Sequence, residues 1–332
     1  MQSILDYTLD DLIEFLSESK EKTFRADQVF DWVYRKKVFM PASMSNLPKA
    51  FREHLEKSMQ PFPLKILKLV ASRDGSRKAL LECGDGLKIE AVSLPSEDGR
   101  TTFCLSTQVG CALGCVFCAT GAMGFKRNLT AGEIISQVLL LESKSNRPSN
   151  LVLMGMGEGL LNFQEVEKFI KIISEPQGYA LSERRITLST AGLIPELMRF
   201  HEAHPKVEIA ISLNASDSET RKKLMPHRKL TDFSEIMNTI NSIDFDITLE
   251  YVLLENVNDT KKDASRLSKM IKIKNHVKVN LIRYNNAIRG FRAPDENKIM
   301  EFQNVLREAG IRCFIRKSLG DDINAACGQL SV

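Results

Sequence analysis

Cys111-Ala-Leu-Gly-Cys115-Val-Phe-Cys118 places three cysteines four and three residues apart, and the glycine-rich run Gly121-Ala-Met-Gly-Phe-Lys-Arg-Asn128 follows closely. Thiolates at such spacings suit zinc or an iron–sulfur cluster, but both usually take a fourth protein ligand. The neighbouring sequence offers no fourth ligand. If the group is a [4Fe–4S] cluster, three cysteines leave one iron open to a small chelating molecule. The stretch therefore predicts a reactive metal site.

This CxxxCxxC spacing resembles the signature of radical S-adenosylmethionine (SAM) enzymes, in which the open iron binds the amino and carboxylate groups of SAM. The resemblance implies reductive cleavage of SAM to a deoxyadenosyl radical. Short cysteine motifs also occur by chance. Two alternatives therefore stay open at this point: a zinc knuckle with a distant ligand, and cysteines in ordinary core packing.

The composition describes a globular chain of 332 residues with 43% hydrophobic residues and a formal net charge of +4. No window approaches the roughly 18 uninterrupted apolar residues that span a bilayer, and the N-terminus lacks the pattern of a signal peptide. We therefore expect a cytoplasmic protein without membrane contact. Seven cysteines in such a chain favour metal or thiol chemistry over a disulfide framework. The mild positive charge permits a nucleic-acid partner without predicting one.

Three regions differ in their hydrophobic period. Residues 1–62 show helical patterns, with Thr8 and Asp11 placed as a capping box, and predict a small N-terminal helical domain. Residues 63–96 predict a β linker, because two strand-like runs flank the turn sequence Gly84-Asp-Gly86. Residues 97–332 alternate strands with helices. This alternation predicts an α/β fold, a partial parallel barrel of the (β/α)6 type.

Polar residues follow the predicted strand ends: Glu158 after one strand, Ser189 and Ser212 at the ends of the next two, and Asn285 after a later one. In a parallel barrel these positions share one rim, where active sites lie. Taken singly, each serine or asparagine is better explained as a helix cap. The cysteine stretch follows the first barrel strand and is expected to join this rim.

The C-terminal stretch Gly320-Asp-Asp-Ile-Asn-Ala-Ala-Cys327-Gly-Gln-Leu330 carries a cysteine far from the triple motif. The order of the barrel strands allows Cys327 to lie near Cys104. Taken alone, a single cysteine is more often a small buried residue than a nucleophile. We keep this interpretation for Cys83 and Cys313.

With these residues in place, nearly the whole chain resembles the RlmN-type adenosine-C2 RNA methyltransferases, which are related to the Cfr-type enzymes that methylate C8 of the same ribosomal adenosine. The closing Ala325-Ala-Cys-Gly-Gln-Leu330 is the most telling match. The other matching stretches are Phe24-Arg-Ala-Asp-Gln-Val29, Ser106-Thr-Gln-Val-Gly-Cys-Ala-Leu113, Lys126-Arg-Asn-Leu129, Met154-Gly-Met-Gly-Glu158, Leu188-Ser-Thr190, Asn256-Val-Asn-Asp259, Arg316-Lys317 and Gly320-Asp-Asp322.

The resemblance implies a role for each matching position. It implies a radical SAM barrel with a [4Fe–4S] cluster, and SAM as cofactor with two molecules used per turnover. Cluster ligands are expected at Cys111, Cys115 and Cys118. SAM contacts are expected at Gly157, Glu158, Ser189, Ser212, Leu213, Asn214 and Asn285. Catalytic roles are expected at Cys327, Cys104 and Glu90.

The implied reaction uses both thiols. A first SAM methylates Cys327, and a deoxyadenosyl radical from a second SAM takes a hydrogen atom from the S-methyl group. The resulting radical adds to C2 of adenine and links the protein to RNA. Cys104 then attacks the Cys327 sulfur to form a transient disulfide, while Glu90 removes the C2 proton.

The implied partners are 23S ribosomal RNA, with transfer RNA as a further substrate left open, and flavodoxin or ferredoxin as the electron donor. We expect a monomer. Cfr-type C8 methylation stays open as an alternative reaction, and a noncatalytic zinc and RNA binding protein as a more remote one. Basic residues in predicted rim loops are candidates for RNA contacts: Lys126, Arg127, Arg283, Arg289, Arg292, Arg316 and Lys317.

The chain departs from the family pattern around Pro226-His-Arg228 and at two positions of the expected SAM site. Gly159 replaces the usual proline after Gly157-Glu158, and Asn214 stands where histidine is usual. Asparagine still forms hydrogen bonds, but it does not gain a proton near neutral pH. These departures concern SAM binding and leave the expected type of reaction unchanged.

Overall fold

The computed structural model describes residues 2–60 and 62–332. The N-terminal helices are α1 (Leu9–Glu18), α2 (Arg25–Phe30) and α3 (Lys49–Ser58). The predicted capping box is confirmed: the Thr8 hydroxyl accepts the Asp11 N–H at 3.1 Å, and the Asp11 carboxylate accepts the Thr8 N–H at 3.0 Å. These bonds satisfy backbone donors that lack a partner at the start of a helix.

The remaining helices are α4 (Ala119–Ala122), α5 (Ala131–Glu142), α6 (Phe163–Ser174), α7 (Ile194–Ala203), α8 (Ser218–Leu224), α9 (Phe233–Ile240), α10 (Lys261–Met270) and α11 (Glu296–Glu308). The strands are β1 (Leu64–Ala71), β2 (Arg77–Cys83), β3 (Lys88–Pro95), β4 (Thr101–Cys104), β5 (Gln108–Gly110), β6 (Phe125–Asn128), β7 (Asn150–Leu153), β8 (Ile186–Thr190), β9 (Glu208–Ser212), β10 (Ile247–Leu253), β11 (Val277–Arg283) and β12 (Arg312–Arg316).

One sheet organises the chain. Its strand order is β1-β2-β3-β4-β7-β8-β9-β10-β11-β12, so β1 and β12 form its two edges. Neighbouring strands from β4 to β12 in this order pair in parallel. Since consecutive parallel strands are joined by helical crossovers, this part is a parallel α/β barrel that stays open between β4 and β12. The predicted fold class, a partial parallel barrel, is confirmed.

The β linker continues the sheet of the barrel. Strands β1, β2, β3 and β4 pair antiparallel, and Val92 on β3 lies opposite Cys104 on β4. The predicted hairpin around Gly84-Asp-Gly86 is present between β2 and β3. The boundaries proposed for three separate domains stay a prediction, and residues 1 and 61 of the first one lie outside the described residues.

The N-terminal helices pack directly on the barrel. The Gly132 N–H at the start of α5 donates to the Asp6 carboxylate at 2.6 Å, and a Cβ atom on Gly132 would lie 2.6 Å from the same oxygen. Phe30 and Val33 are buried in a core continuous with that of the barrel, whereas Trp32 is only half-buried. Across residues 2–60 and 62–332, no helix has the length and apolar character needed to cross a membrane.

Candidate active site

The cysteine motif lies in a loop that a small second sheet closes at its base. Strands β5 and β6 pair antiparallel on either side of it, and the Cys111 N–H donates to the Gly124 carbonyl at 3.1 Å. Gly110 has a φ of +72°, and a Cβ atom there would lie 1.8 Å from the Gly124 oxygen. Only glycine fits such a close approach of two backbones. The backbone geometry at the start of the loop therefore requires glycine at position 110.

Hydrogen bonds to distant segments orient the cysteine loop. The Val116 N–H donates to the carbonyl of Leu224 at the end of α8, at 3.0 Å. The Ala119 N–H donates to the Gly328 carbonyl at 2.8 Å, and the Thr120 hydroxyl to the Leu330 carbonyl at 2.7 Å. The C-terminal segment is thereby held beside the cysteine loop.

All three motif cysteines line one open cavity at the rim of the barrel. The space between its walls, including the part open to solvent, is about 970 Å³. Five of the seven predicted SAM contacts line the same cavity: Gly157, Glu158, Ser189, Ser212 and Asn214. The structure thus brings together residues that the sequence spreads over four segments.

The donor set of this cavity fits an iron–sulfur cluster with an open site. Burial raises the pKa of the Cys111 thiol to about 12 and raises those of Cys115 and Cys118 as well. Thiolates at neutral pH in this environment need a bound metal cation to offset their charge. Within residues 2–60 and 62–332, no three His, Cys, Asp or Glu side chains are grouped as a site for a metal ion. The three thiols line one cavity without being grouped around a common point, and the fit to a cluster rests on their number and chemistry.

Glu158 is the buried carboxylate of this cavity. It accepts hydrogen bonds from the Ala191 N–H at 2.7 Å and from the Leu160 N–H at 3.2 Å. Burial nevertheless raises the pKa of Glu158 to about 7, since desolvation of the charged form outweighs these bonds. A cationic ligand group placed beside Glu158 would offset that cost. Gly157 has a φ of +105°, and its missing side chain leaves room for Gln108.

Asn214 occupies a backbone position that suits its residue type. Its φ is +57°, in the left-handed region that asparagine tolerates better than most residues. Its side-chain oxygen accepts the Val252 N–H at 2.9 Å. The neighbouring Leu213 is fully buried in the core, and its N–H donates to the Glu250 carbonyl at 3.0 Å. Leu213 thus fixes the backbone next to the cavity.

A second cavity adjoins the first and contains both thiols expected to act in catalysis. Cys104 and Cys327 line it together with Asn285 and Arg316. Cys327 and Arg316 also line the cavity of the three motif cysteines. The Asn285 side chain donates to the Cys327 carbonyl at 3.1 Å, so this predicted SAM contact holds the Cys327 loop.

The two thiols differ sharply in exposure. Cys327 is exposed, whereas Cys104 is 9% exposed, and both are free. Burial is the main reason why the pKa of Cys104 rises to about 12, the charge of Cys327 raises it further, and the Arg316 guanidinium opposes the shift. Arg316 lies 3.8 Å from the Glu250 carboxylate. A cation between the two thiols stabilises whichever of them is ionised.

Glu90 is buried. The described residues that line the two cavities do not include it. One carboxylate oxygen lies 2.8 Å from Lys78 Nζ, and the other accepts the Ser331 N–H at 2.9 Å. Both oxygens are therefore engaged. Its predicted role as a base stays a prediction.

Glu250 was missed by sequence reasoning. It lies on β10, is 5% exposed and lines the cavity of the motif cysteines. One carboxylate oxygen accepts from the Asn280 side chain at 3.0 Å, and within the described chain the other makes no hydrogen bond. That second oxygen lies 3.8 Å from the Arg316 guanidinium, so it is ion-paired but can still accept a hydrogen bond from a ligand in the cavity. A lone acid in the apolar run Ile247–Leu253 was the available signal.

The predicted basic rim divides into two groups. Arg127 contacts the Glu133 carboxylate at 2.8 Å and that of Asp85 at 2.6 Å, and Lys317 lies 3.0 Å from Glu97. Arg316 faces the cavities. Lys317 is exposed although it is ion-paired, and Lys126, Arg283, Arg289 and Arg292 are exposed as well.

The fold is a partial parallel barrel, and its first βα connection carries three cysteines that line a cavity at the rim. These features together define the class of radical SAM proteins. Residues 105–268 match the radical SAM superfamily, and residues 2–60 match the N-terminal domain of ribosomal RNA large subunit methyltransferases. A solved structure, a radical SAM methyltransferase from Sphaerobacter thermophilus, superimposes with a TM-score of 0.93 at 37% identity, covering 99% of each chain.

Named relatives align with this chain over nearly its whole length. The dual-specificity RNA methyltransferase RlmN of Nitratiruptor sp. is 41% identical over 99% of this chain and 98% of its own. That of Syntrophotalea carbinolica is 43% identical over 98% of this chain and 88% of its own. This chain belongs to the RlmN family of radical SAM RNA methyltransferases. Membership in the superfamily implies a [4Fe–4S] cluster and SAM.

Proposed function

We propose that this chain methylates C2 of an adenosine in 23S ribosomal RNA and carries the methyl group on the Cys327 sulfur. The observation that supports this most directly is the position of Cys327, which lines both cavities. A methyl group on this sulfur lies between the predicted SAM site and the partner thiol Cys104. An exposed thiol at this point is also accessible to a nucleotide entering from solvent.

Residues of the first cavity would hold the cofactors. Cys111, Cys115 and Cys118 are the proposed cluster ligands. When bound, the cluster supplies the electron that cleaves SAM, and SAM supplies the methyl group and the deoxyadenosyl radical. We propose that Glu158 pairs with the amino group of SAM, because a cation offsets the desolvation of its carboxylate. Ser189, Ser212 and Asn214 offer hydrogen bonds, and two SAM molecules are used per methyl group.

The second cavity would complete the transfer. After the methyl carbon has bonded to C2, the adduct gives up the C2 proton and one electron, which the bound cluster would accept. Cys104 then attacks the Cys327 sulfur: the S–S bond forms, the bond between the Cys327 sulfur and the methyl carbon breaks, and this carbon takes up a proton as the methylated product leaves. Arg316 lines both cavities and lies close enough to both thiols to stabilise a thiolate at either position. The buried Cys104 thiol, with its pKa of about 12, depends on such a cation for ionisation.

The proposed RNA substrates are those that membership in the family implies. Two relatives carry the name dual-specificity RNA methyltransferase, which supports transfer RNA as a second substrate. A flipped or unpaired adenosine would enter the second cavity, as enzymes that modify a base require. We propose a cytoplasmic monomer that receives electrons from flavodoxin or ferredoxin.

Substitution of each thiol tests the proposal. We expect Cys104→Ala to accumulate covalent protein–RNA adducts, because the linkage forms and is not released. We expect Cys327→Ala to form no adduct and no methylated RNA. Cys313→Ala is the control, since Cys313 is buried on β12. The measurement is denaturing electrophoresis with labelled RNA under anaerobic conditions. Normal RNA methylation by Cys327→Ala would falsify the proposal.

Two further measurements separate the alternatives. Liquid chromatography and mass spectrometry of digested RNA against 2- and 8-methyladenosine standards distinguish C2 from C8 methylation. The family-matching stretches Phe24–Val29 and 316–322 favour C2. Anaerobic purification of a brown protein with about four irons and no stoichiometric zinc is expected for the cluster. A colourless protein with one zinc would instead identify the noncatalytic binding protein.

A further inference from the structure

The segment that carries Cys327 has little secondary structure of its own. Between β12 and the C-terminus, the described chain forms a single short 3₁₀ turn, Asp321–Ile323. Its position therefore depends on bonds to other parts of the protein. Asp74, in the turn between β1 and β2, accepts the Gly320 N–H at 2.7 Å. Asp322 in turn accepts the Ser72 hydroxyl at 2.5 Å.

A buried ion pair makes two further bonds to the same segment. Lys78 Nζ on β2 lies 2.8 Å from Glu90 on β3, and these side chains are only 13% and 6% exposed. Lys78 Nζ also donates to the Asn324 carbonyl at 3.0 Å, and the second Glu90 oxygen accepts the Ser331 N–H at 2.9 Å. Asn324 and Ser331 lie on opposite sides of Cys327 in the sequence. The pair thus holds the loop on both sides of its cysteine.

The same strands also carry the partner thiol. Glu90 lies two residues from Val92, and Val92 is paired with Cys104 across β3 and β4. The Glu90 carbonyl accepts the Ser106 hydroxyl at 2.6 Å, just beyond Cys104. Cys104 and the Lys78–Glu90 pair therefore belong to one rigid, hydrogen-bonded unit. Bonds from this unit to the Cys327 loop fix the distance between the two sulfurs.

Burial of the pair is costly unless both charges are fully bonded. A hydrophobic pair of similar size would stabilise the sheet equally well, but it could not bond the backbone of an irregular segment. Lys78 donates to that segment and Glu90 accepts from it, so the pair supplies both kinds of bond. The pair thus provides a donor for one backbone carbonyl of the loop and an acceptor for one backbone N–H.

We propose that Lys78 and Glu90 are positioning residues that hold the Cys327 loop at reacting distance from Cys104. This inference rests on the proposed function, in which the two sulfurs bond to each other. In this proposal Glu90 affects the reaction by holding the loop that carries Cys327, and Lys78 contributes equally to holding that loop. The β linker is thereby the part of the protein that sets the geometry of the two thiols.

The test measures how readily the two thiols form a disulfide. Cluster-loaded protein is equilibrated anaerobically with oxidised and reduced glutathione, and the Cys104–Cys327 disulfide is quantified by mass spectrometry of non-reduced peptides. The result is an effective concentration of one thiol near the other. We expect Lys78→Met and Glu90→Gln each to lower it about tenfold or more, as loss of a hydrogen bond to a charged group predicts.

Three controls distinguish positioning from general stability. Lys78→Arg keeps the charge and the donors and should restore most of the effective concentration. The variant carrying both Lys78→Met and Glu90→Gln should lose little more than either single variant, because the two residues act as a unit. Lys65→Met removes the exposed Lys65–Glu82 pair of the same hairpin, 2.8 Å long, and should change nothing.

Hydrogen exchange of residues 324–331 gives a second, independent readout. We expect at least tenfold faster exchange there in Lys78→Met, with unchanged exchange in the barrel strands. An effective concentration within twofold of the unsubstituted protein, or unchanged exchange in Lys78→Met, would overturn the inference. Failure of the unsubstituted protein to form the disulfide would overturn the proposed function instead, and the exchange measurement would still decide whether the pair holds the loop.

Discussion

At the scale of single residues, Gly159 illustrates why this chain departs from its family pattern. A Cβ atom at this position would lie 2.7 Å from Leu188 Cδ1, and Leu188 is fully buried. The space beside the SAM motif is therefore filled by a neighbouring side chain. A larger residue here would have to displace the end of the Leu188 side chain, whereas the backbone adds no strain, because the φ of Gly159 is not in the left-handed region.

We predict that Gly159→Ala lowers the free energy of unfolding by about 1–3 kcal/mol, because Leu188 must leave its preferred position in a packed core. Chemical denaturation followed by circular dichroism measures the change. Gly84→Ala is the matched control, since a Cβ atom there meets no atom within 4 Å. Equal stability of the two variants would show that Leu188 can move freely.

A second residue-scale prediction concerns the pH dependence of Cys104. Burial of the thiol raises its pKa in the folded protein from an ordinary value of 9.0 to about 12. A raised pKa keeps the thiol protonated below pH 9, so the thiolate fraction grows about tenfold per pH unit between pH 7 and 10. We expect alkylation of Cys104 by iodoacetamide to rise in the same way without a plateau.

Peptide mass spectrometry after timed alkylation measures that rate. The chain unfolded in guanidinium chloride is the control, and its Cys104 should react much faster at pH 8 and level off above pH 9. Equal rates in the folded and unfolded chain at pH 8 would contradict the burial of Cys104.

At the scale of elements, Arg127 links three parts of the structure. It lies on β6, beside the cysteine loop, and contacts Glu133 in the first turn of α5 and Asp85 in the β2–β3 turn. The pKa of Arg127 is raised by these carboxylates, Glu133 first, although partial burial opposes the shift. A residue predicted to contact RNA is therefore engaged in ion pairs within the protein.

We predict that Arg127→Gln lowers the free energy of unfolding by about 1–3 kcal/mol, because the buried Glu133 carboxylate loses its charged partner. Iron content after purification should fall as well. The neighbouring exposed Lys126 provides the matched control, and Lys126→Gln should leave both quantities unchanged. Thermal denaturation and iron analysis of the two variants decide between an internal and a solvent-facing role.

At the scale of the whole molecule, the open barrel places one basic connection beside the active site. Phe291 and Ala287 pack against the same buried apolar cluster as the three motif cysteines. Arg289 and Arg292 lie in the same connection and are exposed. Exposed cations beside a site for RNA contact phosphates, and such contacts release counterions.

We predict that the Arg289→Ala, Arg292→Ala double variant binds RNA more weakly and lowers the slope of log K against log salt concentration by about two. Fluorescence anisotropy at several salt concentrations measures this slope. The melting temperature serves as the control and should not change, because both side chains are exposed. An unchanged slope would remove these arginines from the RNA interface.

Much of the fold could be predicted from the sequence because its signals are local. The Thr8–Asp11 capping box, the hairpin around Gly84-Asp-Gly86 and the alternation of strands and helices depend on residues a few positions apart. The meeting of Glu158, Ser189 and Ser212 at one cavity was also predictable, since parallel strands end at one rim.

The sequence by itself therefore determined the metal site that the cysteine spacing predicts and the class of fold. It also determined which strand ends contribute most residues of the first cavity. Only the tertiary structure decided that Cys327 lines both cavities, that Glu250 faces the cofactor space and that Lys78 bonds Asn324. The physical reason is sequence distance: Lys78 and Asn324 are 246 residues apart, and no local pattern encodes a bond between them. Such contacts exist only after the sheet has brought the two ends of the chain together.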